Sequence, residues 1–143
     1  MLLFALFFPA WEHHLEDSRN SLCLSNLKCI GNAMYMYRND RNQYPSDLRD
    51  LRTETEGDLS VLLQCPAADH HRQSDYFYFA PGKNAPDETM VVCDFKDNHK
   101  GEMRNVLYVD GRASRMLEPE FQQALAQPEN AAFAEALKKA QGP

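Results

Sequence analysis

The chain has 143 residues, 43% of them hydrophobic and 25% charged, which is enough for one domain with a modest core and is not the composition of a disordered chain. Fifteen Lys and Arg against 21 Asp and Glu give a formal charge of −6 with the signs interspersed; the basic stripe that phosphate contacts need is missing, and nucleic acid is excluded as a partner. Four cysteines in a small, loop-rich chain fit two disulfides in an oxidising compartment, while no Cys-x2-Cys spacing points to zinc.

Residues 1–11 form an apolar run, too short for the ~20 residues that cross a bilayer and without the basic start or small-residue cleavage site of a secretory signal. From Leu15 onward, Leu22, Cys23, Leu27, Ile30, Ala33, Met34 and Tyr37 recur at three-, four- and seven-residue spacing, which predicts an amphipathic helix. Glu12, Glu16, Arg19, Lys28 and Arg38 fall largely off that stripe, so one face should lie on a globular head. The helix should end near residues 39–42, ahead of Tyr44-Pro45, and Ser46 reads as the N-cap of a short helix with Asp47 and Asp50 in its first turn.

Strands are predicted at residues 76–80, an aromatic run that alternates faces, and at residues 90–93. Asp110-Gly111 between residues 105–109 and 112–116 predicts a hairpin whose two central positions they occupy, in a type I′ turn with Gly111 at positive φ. Strands that follow a long helix without crossover helices imply an α+β fold: a long N-terminal helix on a small antiparallel sheet of three to four strands. Residues 118–143, restarted at Pro128, read as a loosely docked helical tail carrying Phe121, Ala124, Leu125, Phe133, Ala136 and Leu137. The domain expectation is therefore an apolar helix remnant at 1–11, its amphipathic continuation at 12–42, a globular head at 43–117 and the tail at 118–143.

Four segments, Phe7-Phe8-Pro9-Ala10, Cys23-Leu24-Ser25-Asn26-Leu27-Lys28-Cys29-Ile30-Gly31-Asn32-Ala33-Met34, Tyr44-Pro45-Ser46 and Cys65-Pro66-Ala67, precede a His99 that is separated by ten residues from Asp110-Gly111. In order and spacing they resemble prepilin-like proteins of planctomycete-type bacteria, type II secretion pseudopilins that carry a His-x9-Asp-Gly motif near the C-terminus. The extra residue after His99, and Arg112 where a second His is usual, depart from that pattern. The resemblance marks His99, Asn105, Asp110 and Gly111 as motif residues. It also implies a Cys23–Cys65 disulfide; Cys29 and Cys93 would then form a second bridge or serve as small buried hydrophobes. Cys23 and Cys29, six apart on one helix, face different ways and do not pair with each other.

The basic leader, the Gly before the cut and the Phe-Thr-Leu-x-Glu opening of such proteins are missing, so the sequence is expected to start inside the helix, without the Glu used in assembly. The resemblance implies a non-catalytic subunit of a type II secretion or type IV pilus-like assembly. Its partners would be other pseudopilin subunits and the secretion apparatus, with self-association through residues 1–11. The location implied is the inner membrane, single-pass in the full-length form, with the head in the periplasm. A pilin-anchored binding module for a metal ion or glycan is the competing reading.

Asp94, Asp97, Asn98, His99 and Asp110 are the densest group of ligand-type residues, and calcium is the one ion the resemblance suggests. Lys96 and Lys100 oppose a cation there and no EF-hand spacing is present, so turn capping is the favoured role and no metal or cofactor is assigned. The adjacent pairs His13-His14 and His70-His71 read as solvated. No nucleophile elbow or phosphate loop accompanies the Cys and His residues, which predicts no enzyme.

Overall fold

In a computed structural model of the protein, residues 4–69 and 72–142 are described, the side chains of residues 4–14 excepted. The expectations for His13, His14, His70, His71 and the apolar side chains of residues 1–11 lie outside the described residues. α1 runs without a break over Phe4–Arg41. Its buried side chains are Asn20, Cys23, Leu27, Ile30, Ala33, Met34 and Tyr37, the three-and-four alternation that keeps one stripe facing a partner surface. Leu15 and Leu22, expected on that stripe, are instead exposed on another side. Gly31 marks the closest approach of α1 to the sheet, since a Cβ there would meet Leu107 Cδ1 at 2.9 Å. The helix stops at Asn42, whose φ of 54° and N–H bond to the Arg38 carbonyl (2.7 Å) form a left-handed cap.

Between helix and sheet the chain makes two short turns. The first, over Leu48–Thr53, is a 3-10 helix capped by Asp47 and not by the expected Ser46. Asp47 accepts from Arg49 N (2.8 Å), while the Asp50 carboxylate reaches back to the amides of Ser46 and Asp47 (3.1 and 3.0 Å). Leu48 and Leu51 eclipse each other at 3-10 spacing and are both buried. α2, Leu59–Leu62, is capped by Asp58.

Four strands follow: β1 Tyr76–Tyr78, β2 Met90–Asp94, β3 Met103–Tyr108 and β4 Ala113–Leu117. They pair in sequence order as an antiparallel meander. The α+β expectation holds, with four strands in the sheet. A register shift between Met90 and Val92 puts Val91 and Val92 together in the core under α1, and leaves Met90 and Cys93 on the opposite face.

The β3–β4 turn differs from the expected type I′. Gly111 N–H bonds the Tyr108 carbonyl (2.9 Å) and Tyr108 N–H bonds the Arg112 carbonyl (3.0 Å), so Val109 and Asp110 are the central residues of a three-residue loop. Gly111, φ 85°, closes it in the left-handed region. Asp110 Oδ1 accepts from Arg112 N (2.9 Å), which is why an Asp suits this position without positive φ of its own.

The residues after β4 are not a loose tail. α3, Glu118–Leu125, follows Leu117 directly, and α4, Ala131–Gln141, follows a 3-10 turn at Pro128–Asn130. Phe121, Phe133 and Leu137 are buried with Met90, Cys93, Val106 and Tyr108 on the sheet face opposite α1, giving three layers. Asn130 ties the corner to the sheet: its Oδ1 accepts from Met90 N (2.8 Å) and its Nδ2 donates to the Ala124 carbonyl (2.9 Å). Asn130→Ala should cost about 1–3 kcal/mol by equilibrium denaturation, because the buried Met90 N–H loses its acceptor, while the Ala124 carbonyl still accepts from Gln127 N (3.2 Å). A loss of a few tenths would mean that water replaces the amide.

Among the described residues no helix is long and apolar enough to cross a membrane, which overturns the single-pass inner-membrane expectation. The physical reason is visible in α1: it has length enough, but Glu12, His13, His14, Glu16, Asp17 and Arg19 interrupt its apolar run within about three turns of Phe8.

Candidate functional site

At the end of β2 the chain buries polar side chains that the sequence presents as loop residues. Asp94 is fully buried: Oδ2 accepts from Asn105 N (2.7 Å) and Asn105 Nδ2 (2.9 Å) and lies 2.9 Å from His99 Nε2, and Oδ1 accepts from Asn98 Nδ2 (3.2 Å). His99 is fixed from its other side by Asn20 of α1, whose Oδ1 lies 2.7 Å from Nδ1. With Asn20 at one ring nitrogen and Asp94 at the other, the ring bridges α1 to the sheet.

Cys65 Sγ lies 3.6 Å from His99 Nε2, and Cys65 is joined to Cys23 of α1 with a Cα–Cα distance of 5.2 Å. Asp75, also buried, holds the backbone of this segment, accepting from Cys65 N (2.9 Å) and Arg72 N (2.8 Å). Its own carbonyl accepts from Asn98 Nδ2 (2.6 Å). The Oδ1 atoms of Asn98 and Asn105 are buried without a hydrogen-bond partner among the described residues.

A backbone device positions His99. Lys100 and Gly101 take successive positive φ values, 56° and 76°, and turn the chain from the buried His99 back toward β3. The reversal ends ahead of β3, which begins at Met103.

The motif residues divide into two devices at opposite ends of β3. His99 and Asn105 meet (3.3 Å) in the buried centre, whereas Asp110 and Gly111 form the hairpin loop. The strand between them sets their sequence spacing. The candidate calcium ligands do not converge: Asp94 and Asn98 serve the buried network, Asp97 pairs with Arg72 at the surface (3.0 Å), and Asp110 caps its own turn. The Cys23–Cys65 bridge is present, but Cys29 is exposed and Cys93 buried and both are free, so the Cys29–Cys93 pair does not form. Burial pushes the Cys93 thiol well up, which leaves it an inert core group.

On the other face, Arg104 is the largest fully buried side chain. It makes a two-pronged contact with Glu118 (2.9 and 3.0 Å), donates to the Asp94 carbonyl (3.0 Å) and to Gln141 Oε1 (2.8 Å), and lies 4.5 Å over the Phe121 ring. Burial alone would raise the Glu118 carboxyl, yet its bonds from Arg104 and Gln122 outweigh that and hold it below its usual 4.5. A depressed carboxyl contributes stability above its unfolded pKa and loses it as pH falls through the folded one. Wild type and Glu118→Gln should therefore differ in unfolding free energy at neutral pH and converge below about pH 4.5, in urea titrations over an acid series. A constant difference would contradict the assignment.

The aromatic run splits as alternation requires. Tyr76 packs under α1 and Tyr78 donates to the Pro45 carbonyl (2.6 Å), while Phe77 turns to the other face against Phe133 (ring centroids 5.2 Å) and Phe95 (6.1 Å). A surface groove of about 310 Å³ beside β1 includes Asp47, Arg49, Arg72, Tyr78 and Phe95. Both arginines are already paired, Arg49 with Asp47 and Arg72 with Asp97.

Asn20, Asp75 and Arg104 escaped the sequence reading, because nothing in their local pattern separates a buried polar residue from a solvated one. No family model matches the sequence, and no curated protein or solved structure matches it.

Proposed function

We propose that this chain is a pseudopilin-like structural subunit of a type II secretion or type IV pilus-like assembly, acting by contact and without chemical turnover. The observation that carries the reading is the second face of α1. Its first face is filled by the chain's own sheet, yet Leu15, Leu22, Cys29 and Met36 lie exposed at seven-residue intervals along it. A strict seven-residue stripe suits a neighbouring helix packed alongside. The Cys23–Cys65 bond suits an oxidising compartment, and His99, with both nitrogens engaged and 3% exposed, suits bracing better than proton transfer. The partners are other subunits of the same plan, including copies of this chain, and the export apparatus.

Chemical cross-linking in the native cell, read by mass spectrometry, is expected to join α1 to subunits that share the helix-on-sheet arrangement. Those products should disappear in Leu22→Glu/Met36→Glu while the thermal transition of the head is retained. Products unchanged by the double substitution, or none at all, overturn the reading.

A further inference from the structure

We infer that Cys23, Cys65, His99 and Asp94 form a closed tetrahedral site for a thiophilic divalent cation, zinc above all, in the reduced chain, so that one position carries either a disulfide or a metal as its staple. The Cys and His donor atoms all lie within 4.8 Å of one another and all three residues are buried. Tetrahedral bonds of about 2.3 Å to sulfur and about 2.0–2.1 Å to nitrogen place S and N roughly 3.5 Å apart. Cys65 Sγ and His99 Nε2 already stand at 3.6 Å.

The surroundings are those of a ligand set. A metal-bound imidazole is held by an oxygen on its far nitrogen, which fixes ring orientation, and Asn20 Oδ1 does this at Nδ1 (2.7 Å). Asp94 Oδ2 stands 2.9 Å from Nε2 but outside the group whose donor atoms all lie within 4.8 Å of one another, so it takes the fourth position by moving toward the sulfurs as the ion enters. Two sulfurs exclude calcium and magnesium, which take oxygen ligands. Burial of all four residues leaves no open position for water, the mark of a structural site.

The chemistry balances in two steps. A dithiol reductant gives two electrons and two protons to the Cys23–Cys65 bond, becoming a cyclic disulfide and leaving two thiols. The divalent ion then displaces the two thiol protons and is bound by two thiolates, the imidazole of His99 through Nε2 and the Asp94 carboxylate, which leaves a site of net charge −1. This staple does not depend on the assembly role, since it lies on the sheet side of α1.

The test uses the full chain carrying Cys29→Ser and Cys93→Ala, so that only the two site thiols count. After reduction and removal of the dithiol under anaerobic conditions, cobalt(II) alone is added. One equivalent should produce the intense visible bands of tetrahedral cobalt with sulfur-to-cobalt charge transfer in the near ultraviolet, and one equivalent of zinc should bleach both. The oxidised chain should show neither. X-ray absorption of the zinc form should count two sulfur and two nitrogen or oxygen ligands, a readout that needs no further variant. His99→Gln, whose fold can be checked in its oxidised form, should lose at least tenfold in affinity. A folded reduced chain with only weak octahedral cobalt spectra, a zinc shell without two sulfurs, or unchanged affinity in His99→Gln each overturn the proposal.

Discussion

Asp94→Ala is expected to lower the unfolding free energy by about 3–5 kcal/mol, because several buried donors, each costing about 1–3 kcal/mol when left unpaired, lose their acceptor together. The carboxylate is fully buried, so its loss strands the backbone and side-chain amides of Asn105, takes the oxygen from beside His99 Nε2 and leaves Asn98 Nδ2 with the Asp75 carbonyl alone. Equilibrium urea unfolding should show the fall in midpoint at nearly unchanged slope. Asp94→Asn should fall between, since an amide oxygen still accepts from Asn105 N but its NH2 group opposes the donors. His99→Ala added to Asp94→Ala should cost clearly less than the sum of the two, because the pair acts as a unit. Strict additivity, or a loss under about 1 kcal/mol for Asp94→Ala, would show that the pair is not the brace described.

Removing the bridge should rank next. Cys23→Ser/Cys65→Ser, compared with the oxidised chain in a chelating buffer, should lose about 2–5 kcal/mol. The crosslink spans 42 residues of sequence and so restricts the unfolded chain over more than a quarter of its length. Two buried hydroxyls without designed partners add to the cost. Guanidinium unfolding of both forms checks this, and a double variant within about 1 kcal/mol of the oxidised chain would contradict it.

The fold could be read where local chemistry dictates it. Helical period drew α1 and its end, β-branched and aromatic runs drew the strands, and Asp110-Gly111 located the hairpin. What escaped was decided by neighbours far along the chain. Two seven-residue series run along α1, Cys23-Ile30-Tyr37 and Leu15-Leu22-Cys29-Met36, and spacing alone does not say which one the sheet covers. The Leu107–Ala113 register and the Tyr108–Arg112 closure shifted the turn centre by one residue, a choice that the dipeptide does not contain. Phe121, Phe133 and Leu137 look sparse in an Ala-rich tail until Met90, Cys93, Val106 and Tyr108 supply the other half of their core. The candidate site was least legible: its motif marked His99 and Asn105, but Asn20, Cys65 and Asp94 reach them from a helix, a loop and a strand.

The bridge from α1 to the loop ahead of β1 also decides how the molecule would answer a mechanical load. Tension entering through the N-terminal part of α1 and leaving through α4 crosses from Cys23 to Cys65 by a covalent bond, and everything between those residues is left out of the load path. The outer turns of α1 from Leu24 onward, the 3-10 helix and α2 would stay slack while the sheet takes the strain. At up to ~3.6 Å per extended residue, the 42-residue bypass withholds roughly 150 Å of extension from an oxidised chain. Stretched singly between its ends, the protein should thus lengthen by that much more after reduction, and the oxidised chain pulled by its helix would yield late and little.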